Sequence, residues 1–213
     1  MLVTKRKSRR GAARRTRNPE QTRGRLLDAA FGRVYQAGFQ GTDLDTILAA
    51  AGVTKGALYH HFGSKEALGY AIVEERLAEI TEEKWLRPLA KGGNPIDVLI
   101  GIVEGTSFRT EHVNGGCPLN NLAQEMSPLD DGFRARLKQV FRDWQSGIAT
   151  ALRKGQSRGE VRADVDAEET ALYLTATYEG YISIAKNAQS AEVLRTGVKR
   201  VVRELEGLRG EKG

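Results

Sequence analysis

Val53-Thr54-Lys55-Gly56-Ala57-Leu58-Tyr59-His60-His61-Phe62, followed at once by Gly63-Ser64-Lys65-Glu66-Ala67-Leu68, is the stretch around which this 213-residue chain is organised. Thr54 stands where a side chain caps a short helix. Leu58 and Phe62, four apart, form an apolar stripe that holds such a helix down. Its other side carries a cation, a glycine, a phenol and two imidazoles, a mixture that suits a groove lined with phosphates better than bulk water. Successive helical positions are turned by about 100°, so only one of His60 and His61 points squarely at a groove. His60 is placed nearer such a groove and His61 in local packing.

Just upstream, Thr42-Asp43-Leu44-Asp45 reads as a capping box opening a helix whose apolar positions are Leu44, Ile47 and Leu48. Ala49-Ala50-Ala51 lets another helix approach, and Gly52 is its stop. Two short helices joined by a tight glycine-containing turn form a helix-turn-helix, whose second member lies in the major groove. In front of it, Asn18-Pro19-Glu20-Gln21 starts a helix that buries Leu26, Leu27, Ala30, Phe31 and Val34 and ends at Gly38. Thr22, Arg23 and Arg25 fall near its amino-terminal end, where basic side chains meet phosphate.

The ungapped run from Thr42 to Leu68 resembles the DNA-binding headpiece of the TetR family of bacterial transcriptional regulators. The resemblance covers about residues 19–68, and beyond them extends only to helical layout. It implies that Thr42, Thr54, Lys55, Gly56, Tyr59, His60 and Lys65 contact DNA. Their chemistry agrees: Lys55 and Lys65 neutralise phosphates, Thr42 and Thr54 bond to phosphate oxygens, Gly56 admits the backbone closely, and Tyr59 lays its ring against the sugar-phosphate edge or a thymine methyl. It further implies a homodimer reading the two halves of a palindromic double-stranded DNA operator, released by a small molecule.

Net charge is +6, yet Lys5, Arg6, Lys7, Arg9, Arg10, Arg14, Arg15 and Arg17 stand among the first eighteen residues without an acid. Removing those eight leaves −2, so the basicity belongs to an arm, read as disordered over 1–18, and not to the folded body. The headpiece is read over 19–65, and a helical ligand-binding and dimerisation domain over 66–213. About nine helices are expected in an all-α chain, since no sustained period-two alternation occurs. Cys117 is the single cysteine, which fits a reducing cytosol. No apolar run reaches the ~18 residues that span a bilayer, and the arm has no hydrophobic segment of a secretory signal; a cytoplasmic protein with no membrane partner is expected.

In the second domain, Ser64 caps a long fourth helix expected to run to about Trp85 or Leu86 and to end before Pro88. Further helices are expected from Pro95 to about His112, after Gly116-Cys117, from Pro128 to about Gly155, and from Asp166, with a final one after Ser190. Candidate ligand contacts are Phe108, Cys117, Asn121, Phe141, Trp144 and Tyr178: buried amides need partners, and aromatics wall a pocket. Packing alone is the plainer reading of each aromatic and of the thiol. Cys117 also resembles a thiol that senses electrophiles in one branch of the family, which gives an alternative, redox-switched repressor; its place near a helix start favours a low thiol pKa. Leu174, Tyr181, Leu194, Val198, Val201 and Leu205 form seams on the last two helices, read as a dimer interface. No nucleophile, base and orienting group are clustered, adjacent histidines do not converge on a metal as an i, i+4 pair does, and no glycine loop cradles phosphate. Neither an enzyme nor a cofactor or metal site is expected.

Overall fold

The computed structural model describes residues 19–210, so the arm at 1–18 and the cap at Asn18 lie outside the described residues. Among the described residues the chain is all-helical, with one isolated bridge, Val161 to Arg209, and no sheet. None of these helices is long and apolar enough to cross a membrane.

Helices α1 (Pro19–Ala37), α2 (Leu44–Ala51) and α3 (Lys55–His61) close around Leu26, Leu27, Ala30, Ile47, Leu48 and Leu58. Gly52 ends α2 in the left-handed region, φ 62°, which a glycine adopts without strain. The capping box does not form. Asp43 caps α2 without a side-chain bond, while Thr42 is buried and donates its hydroxyl to the Gly38 carbonyl, closing the α1–α2 turn.

Helix α4 runs unbroken over 65–90 from its cap at Ser64, whose hydroxyl accepts from Ala67 N at 3.0 Å. It passes through Pro88 instead of stopping before it. A widened π turn over Glu82–Leu86 explains the difference, because Arg87 N reaches back five residues to Glu82 O just ahead of the proline that has no N–H to place. A second π turn spans Ile72–Leu77.

Beyond α4 come α5 (Pro95–Glu104), a helical turn at Thr110–Gly115, α6 (Pro118–Met126), α7 (Asp131–Ser157), α8 (Ala167–Ala188) and α9 (Ala191–Glu206). Helix α8 packs between α7 and α9, α9 also covers α5, and α7 lies along α4. Two expected helix bounds shift. The helix read from Pro95 to His112 breaks at Gly105, where the Thr106 hydroxyl pairs with that of Tyr178 at 2.8 Å. Ser127 ends α6 instead of starting the next helix, and Asp130 caps α7, accepting from Phe133 N at 2.8 Å.

The dimer seam needs correction. Leu174, Leu194, Val198, Val201 and Leu205 are all at most 8% exposed inside a single chain. Their surface is already covered by α5, α7 and one another, so they have nothing left to bury across a twofold axis. Tyr181 is half-buried over Gly197, where an added Cβ would overlap its ring. The outward face of α8 instead carries Leu172, Tyr173 and Ile184, which are 55%, 48% and 58% exposed.

Headpiece and second domain meet where the Phe39 and Phe133 rings touch edge to face, 4.7 Å between centroids, over Gly69 of α4. A Cβ on Gly69 would lie 2.5 Å from both rings. Gly69→Val should therefore cost about 1–3 kcal/mol by overpacking and lower Tm by several degrees in a thermal melt. Gly32→Ala, in α1 with open space around it, should raise stability by about 0.5–1 kcal/mol.

Candidate DNA interface and effector chamber

Helix α3 presents the surface that the sequence suggests. Thr54 caps it, its hydroxyl accepting from Ala57 N at 3.3 Å, and Leu58 on the inner side is fully buried. Thr54, Lys55, Gly56, Tyr59 and His60 are exposed, whereas His61 is half-buried with its ring 5.1 Å from that of His60. Gly56 has a helical backbone, and an added Cβ would meet nothing nearer than Thr54 Oγ1 at 4.0 Å. The fold thus gives no reason for a glycine there, and close approach of an outside surface does. Lys65 is partly engaged: its ammonium donates to Phe39 O at 2.8 Å and lies over the Phe39 ring, which leaves two of its three N–H bonds.

Two of the polar groups read as phosphate contacts are used inside the protein. Thr42 has no free hydroxyl facing out, for the reason given above. Arg23 pairs with Glu75 of α4, Nη1 to Oε2 at 2.7 Å, and lies over the Phe62 ring. That pairing holds the Glu75 carboxyl below its ordinary pKa. Arg25 remains exposed.

The second domain holds a half-open cavity of about 220 Å³ between α4, the Thr110–Gly115 turn, α6, α7 and α8. Of the six residues expected to line a ligand site, it brings together Cys117, Trp144 and Tyr178. The other three lie elsewhere. Phe108 sits in the non-helical segment after α5 beneath Arg195, and Phe141 stacks on the far side of Trp144. Asn121 donates to Gly115 O and accepts from Lys186 Nζ, on the wall of a wider, more polar groove between α1 and α6. That groove is larger, about 560 Å³, but the smaller chamber has the desolvated aromatic walls that hold a small molecule.

Lys84, Trp85 and Glu179 also line the chamber, and the sequence reading missed them. Trp85 stands 4.7 Å from Trp144 and 5.2 Å from Tyr178, ring centre to ring centre. Lys84 Nζ donates to Tyr178 Oη at 2.7 Å. Glu179 is 6% exposed and its Oε2 has no partner among the described residues. One signal did point to it: Glu179 is the single acid between Thr170 and Lys186, in a stretch otherwise apolar, small or aromatic.

Burial raises the Glu179 carboxyl to about pKa 7, against the opposing pull of the Cys117 thiol hydrogen bond and the Lys84 charge. The same burial, with the Glu179 charge beside it, pushes the Cys117 thiol up. The Leu119 and Asn120 amides at the helix start pull it down, but burial and Glu179 outweigh them. Among the described residues no group of three or more potential ligands is placed to hold a metal ion.

Tyr35 links the two sites. It belongs to α1, lines the chamber, and donates its hydroxyl to Gly116 O at 2.9 Å, next to Cys117. Below it the Glu125 carboxylate accepts from Phe39 N at 2.9 Å and Gln40 N at 2.7 Å, just beyond the end of α1.

Comparison with known proteins covers both halves. Residues 26–72 match the family model described as bacterial regulatory proteins, tetR family, and residues 100–201 match the tetracyclin repressor-like C-terminal domain. The transcriptional regulator AcuR of Cereibacter sphaeroides is 32% identical over 187 residues, 84% of this chain and 83% of its own. The Escherichia coli repressor NemR is 28% identical over 183 residues, 84% of this chain and 92% of its own. Its crystal structure in reduced form superposes with a TM-score of 0.76 over 84% of this chain and 94% of that one. A TetR regulator from Chloroflexus aurantiacus superposes with a TM-score of 0.81, 30% identical over 92% of this chain and 100% of that one.

A carboxyl raised from 4.5 to about 7 in the folded state binds its proton more tightly there than in the unfolded chain. Its contribution is fully present below the unfolded pKa and is lost as pH rises toward 7 and beyond. Denaturant melts should therefore show Glu179→Gln gaining on the parent by about 2–3 kcal/mol between about pH 5 and pH 8.

Proposed function

Since the chain belongs to the TetR family of bacterial transcriptional regulators, we propose that it is a cytoplasmic repressor whose homodimer holds a palindromic operator until a small molecule enters the α4–α8 chamber. The observation that carries the DNA-binding half is the outward face of α3, where Lys55, Gly56, Tyr59 and His60 are exposed and Gly56 has no packing role. Thr54 and the free N–H bonds of Lys65 add phosphate contacts; Thr42 is left out, and its part is to fix the α1–α2 turn. One headpiece makes too few contacts for a unique site, so two copies are needed. The exposed stripe Leu172, Tyr173 and Ile184 on α8 is the surface for the second copy.

Release follows from shared structure. Helix α4 supplies Leu68, Ala71 and Ile72 to the core beside the headpiece and Leu77, Thr81 and Trp85 to the chamber side. Tyr35 ties α1 to the chamber wall through Gly116. A ligand that prefers a displaced Tyr35 or α4 shifts the population toward headpiece positions that miss one of two successive major grooves. A tenfold loss of operator affinity takes only about 1.4 kcal/mol of differential binding. The thiol-switch alternative asks Cys117 to ionise, whereas burial and Glu179 hold its proton on.

A footprint across the DNA flanking its own gene should show a discrete palindromic site. Lys55→Ala and Tyr59→Ala should each weaken operator binding by about 1–3 kcal/mol with the fold intact by circular dichroism; undiminished affinity in both would remove α3 as the reading helix. Tyr35→Phe should weaken operator binding modestly and blunt release by effector in a gel-shift titration. Cys117→Ser should release as the parent does, and a repressor that no longer responds would transfer the switch to the thiol.

A further inference from the structure

The chamber holds an ammonium with no acid paired to it and an indole N–H with no acceptor among the described residues. Lys84 projects an ammonium that meets the Tyr178 hydroxyl and the faces of Trp85 and Tyr178, 5.5 and 5.0 Å from the ring centres. No ion pair joins it to an acid among the described residues. Trp144 is 2% exposed and its indole Nε1–H, which can only donate, has no partner among the described residues. Glu179 Oε2 is equally unpartnered. When that carboxyl keeps its proton, as burial favours near neutral pH, it offers donor character too and leaves the Lys84 charge uncompensated. Leaving the buried indole donor unmet is costly, and an acceptor-rich guest can meet it while balancing the Lys84 charge.

We propose that the effector is a small organic anion, a carboxylate on a flat apolar body, with its head group on Lys84 and its body against Trp85, Trp144 and Tyr178. A cation of the same size would face the Lys84 ammonium, and a neutral amide would leave that charge unbalanced. The aromatic walls and the volume of about 220 Å³ suit one ring and a short side arm. This inference rests on the reading of the α4–α8 cavity as the effector chamber.

Binding of an anion is tied to protons. The titratable side chains facing the cavity are Tyr35 from α1, Lys84 from α4, His112 from the Thr110–Gly115 turn, Cys117 ahead of α6, and Tyr178 and Glu179 from α8. An anionic guest repels ionised Glu179, so its affinity falls as pH rises through about 7. Glu179→Gln isolates the part of this pH dependence that belongs to the carboxyl.

Calorimetric titration of the full chain uses benzoate and phenylacetate, each against its amide, and benzylamine as the cation. The acids should bind at least about tenfold more tightly than benzamide and phenylacetamide, and benzylamine should be weaker still. Lys84→Met should cost the acids about tenfold or more and leave the amides unchanged, with Lys84→Arg restoring part of the loss. Both variants should melt near the parent temperature; if Lys84→Met does not, Lys84→Gln replaces it. Acid affinity should drop about tenfold between about pH 6 and pH 8 in the parent and clearly less in Glu179→Gln. Amides or benzylamine binding as well as the acids, unchanged acid binding without Lys84, or no heat from either acid at millimolar concentration would each overturn the proposal. An operator footprint alongside failed acid binding sinks this inference alone. Lys84-dependent acid binding without any operator sinks the regulator reading alone.

Discussion

Helix α4 is packed into two cores at once, and the position of the DNA-reading surface depends on that double burial. Its first turns contribute Leu68 and Ala71 beside α1, while Leu77 and Trp85 lie among the aromatic residues of the second domain. Gly69, the one position where two phenylalanine rings cross the helix, allows the junction to close. Ion pairs surround the first π turn: Arg23 with Glu75 and Asp28 with Arg76 from α1, and Glu74 with Arg136 from α7. Being partly exposed, such pairs contribute little stability, about 0–1 kcal/mol each. Their effect is to fix the rotation of α4 between its neighbours. A π turn leaves its backbone less regularly bonded than an α-helix, so the clamp sits where the helix is most readily rewound.

The same economy appears at the Tyr35 hydroxyl and the Glu125 carboxylate. Each joins the end of α1 to the residues around α6 through backbone groups, at Gly116 O and at the Phe39 and Gln40 amides. Backbone partners do not change with side-chain rotamer, so each contact is fixed at one of its two ends. The chamber wall includes Gly116, Cys117 and Pro118 from that same segment. The chamber wall and the end of α1 are therefore joined by short, identifiable contacts.

Local signals made the headpiece legible from sequence. Caps at Thr54 and Ser64, a left-handed glycine at Gly52 and the Leu58–Phe62 stripe are all set within a few residues, and the all-helical class followed from periodicity. The chamber was only half legible, because its polar groups come from distant positions: Lys84 and Glu179 are 95 residues apart in number and neither stands in a motif. Aromatic spacing identified Trp144 and Tyr178 but could not tell Phe141, on the far side of Trp144, from a wall residue. The seam on α8 and α9 failed for a related reason. Apolar positions at helical spacing show which face is buried, and Val201 and Leu205 are buried by their own chain; Leu172 and Ile184 are apolar residues left exposed outside that stripe.

The central claim is that the α1 latch at Tyr35 and Glu125 sets the spacing of the two headpieces. It is tested most directly by pulsed electron spin measurement of the distance between labels at Asp45→Cys, exposed on α2, in a Cys117→Ser homodimer. With the latch intact the account predicts one narrow distance. With Tyr35→Phe and Glu125→Gln added, and the dimer mass unchanged, it predicts a broad distribution. The same narrow distance in both proteins would contradict it.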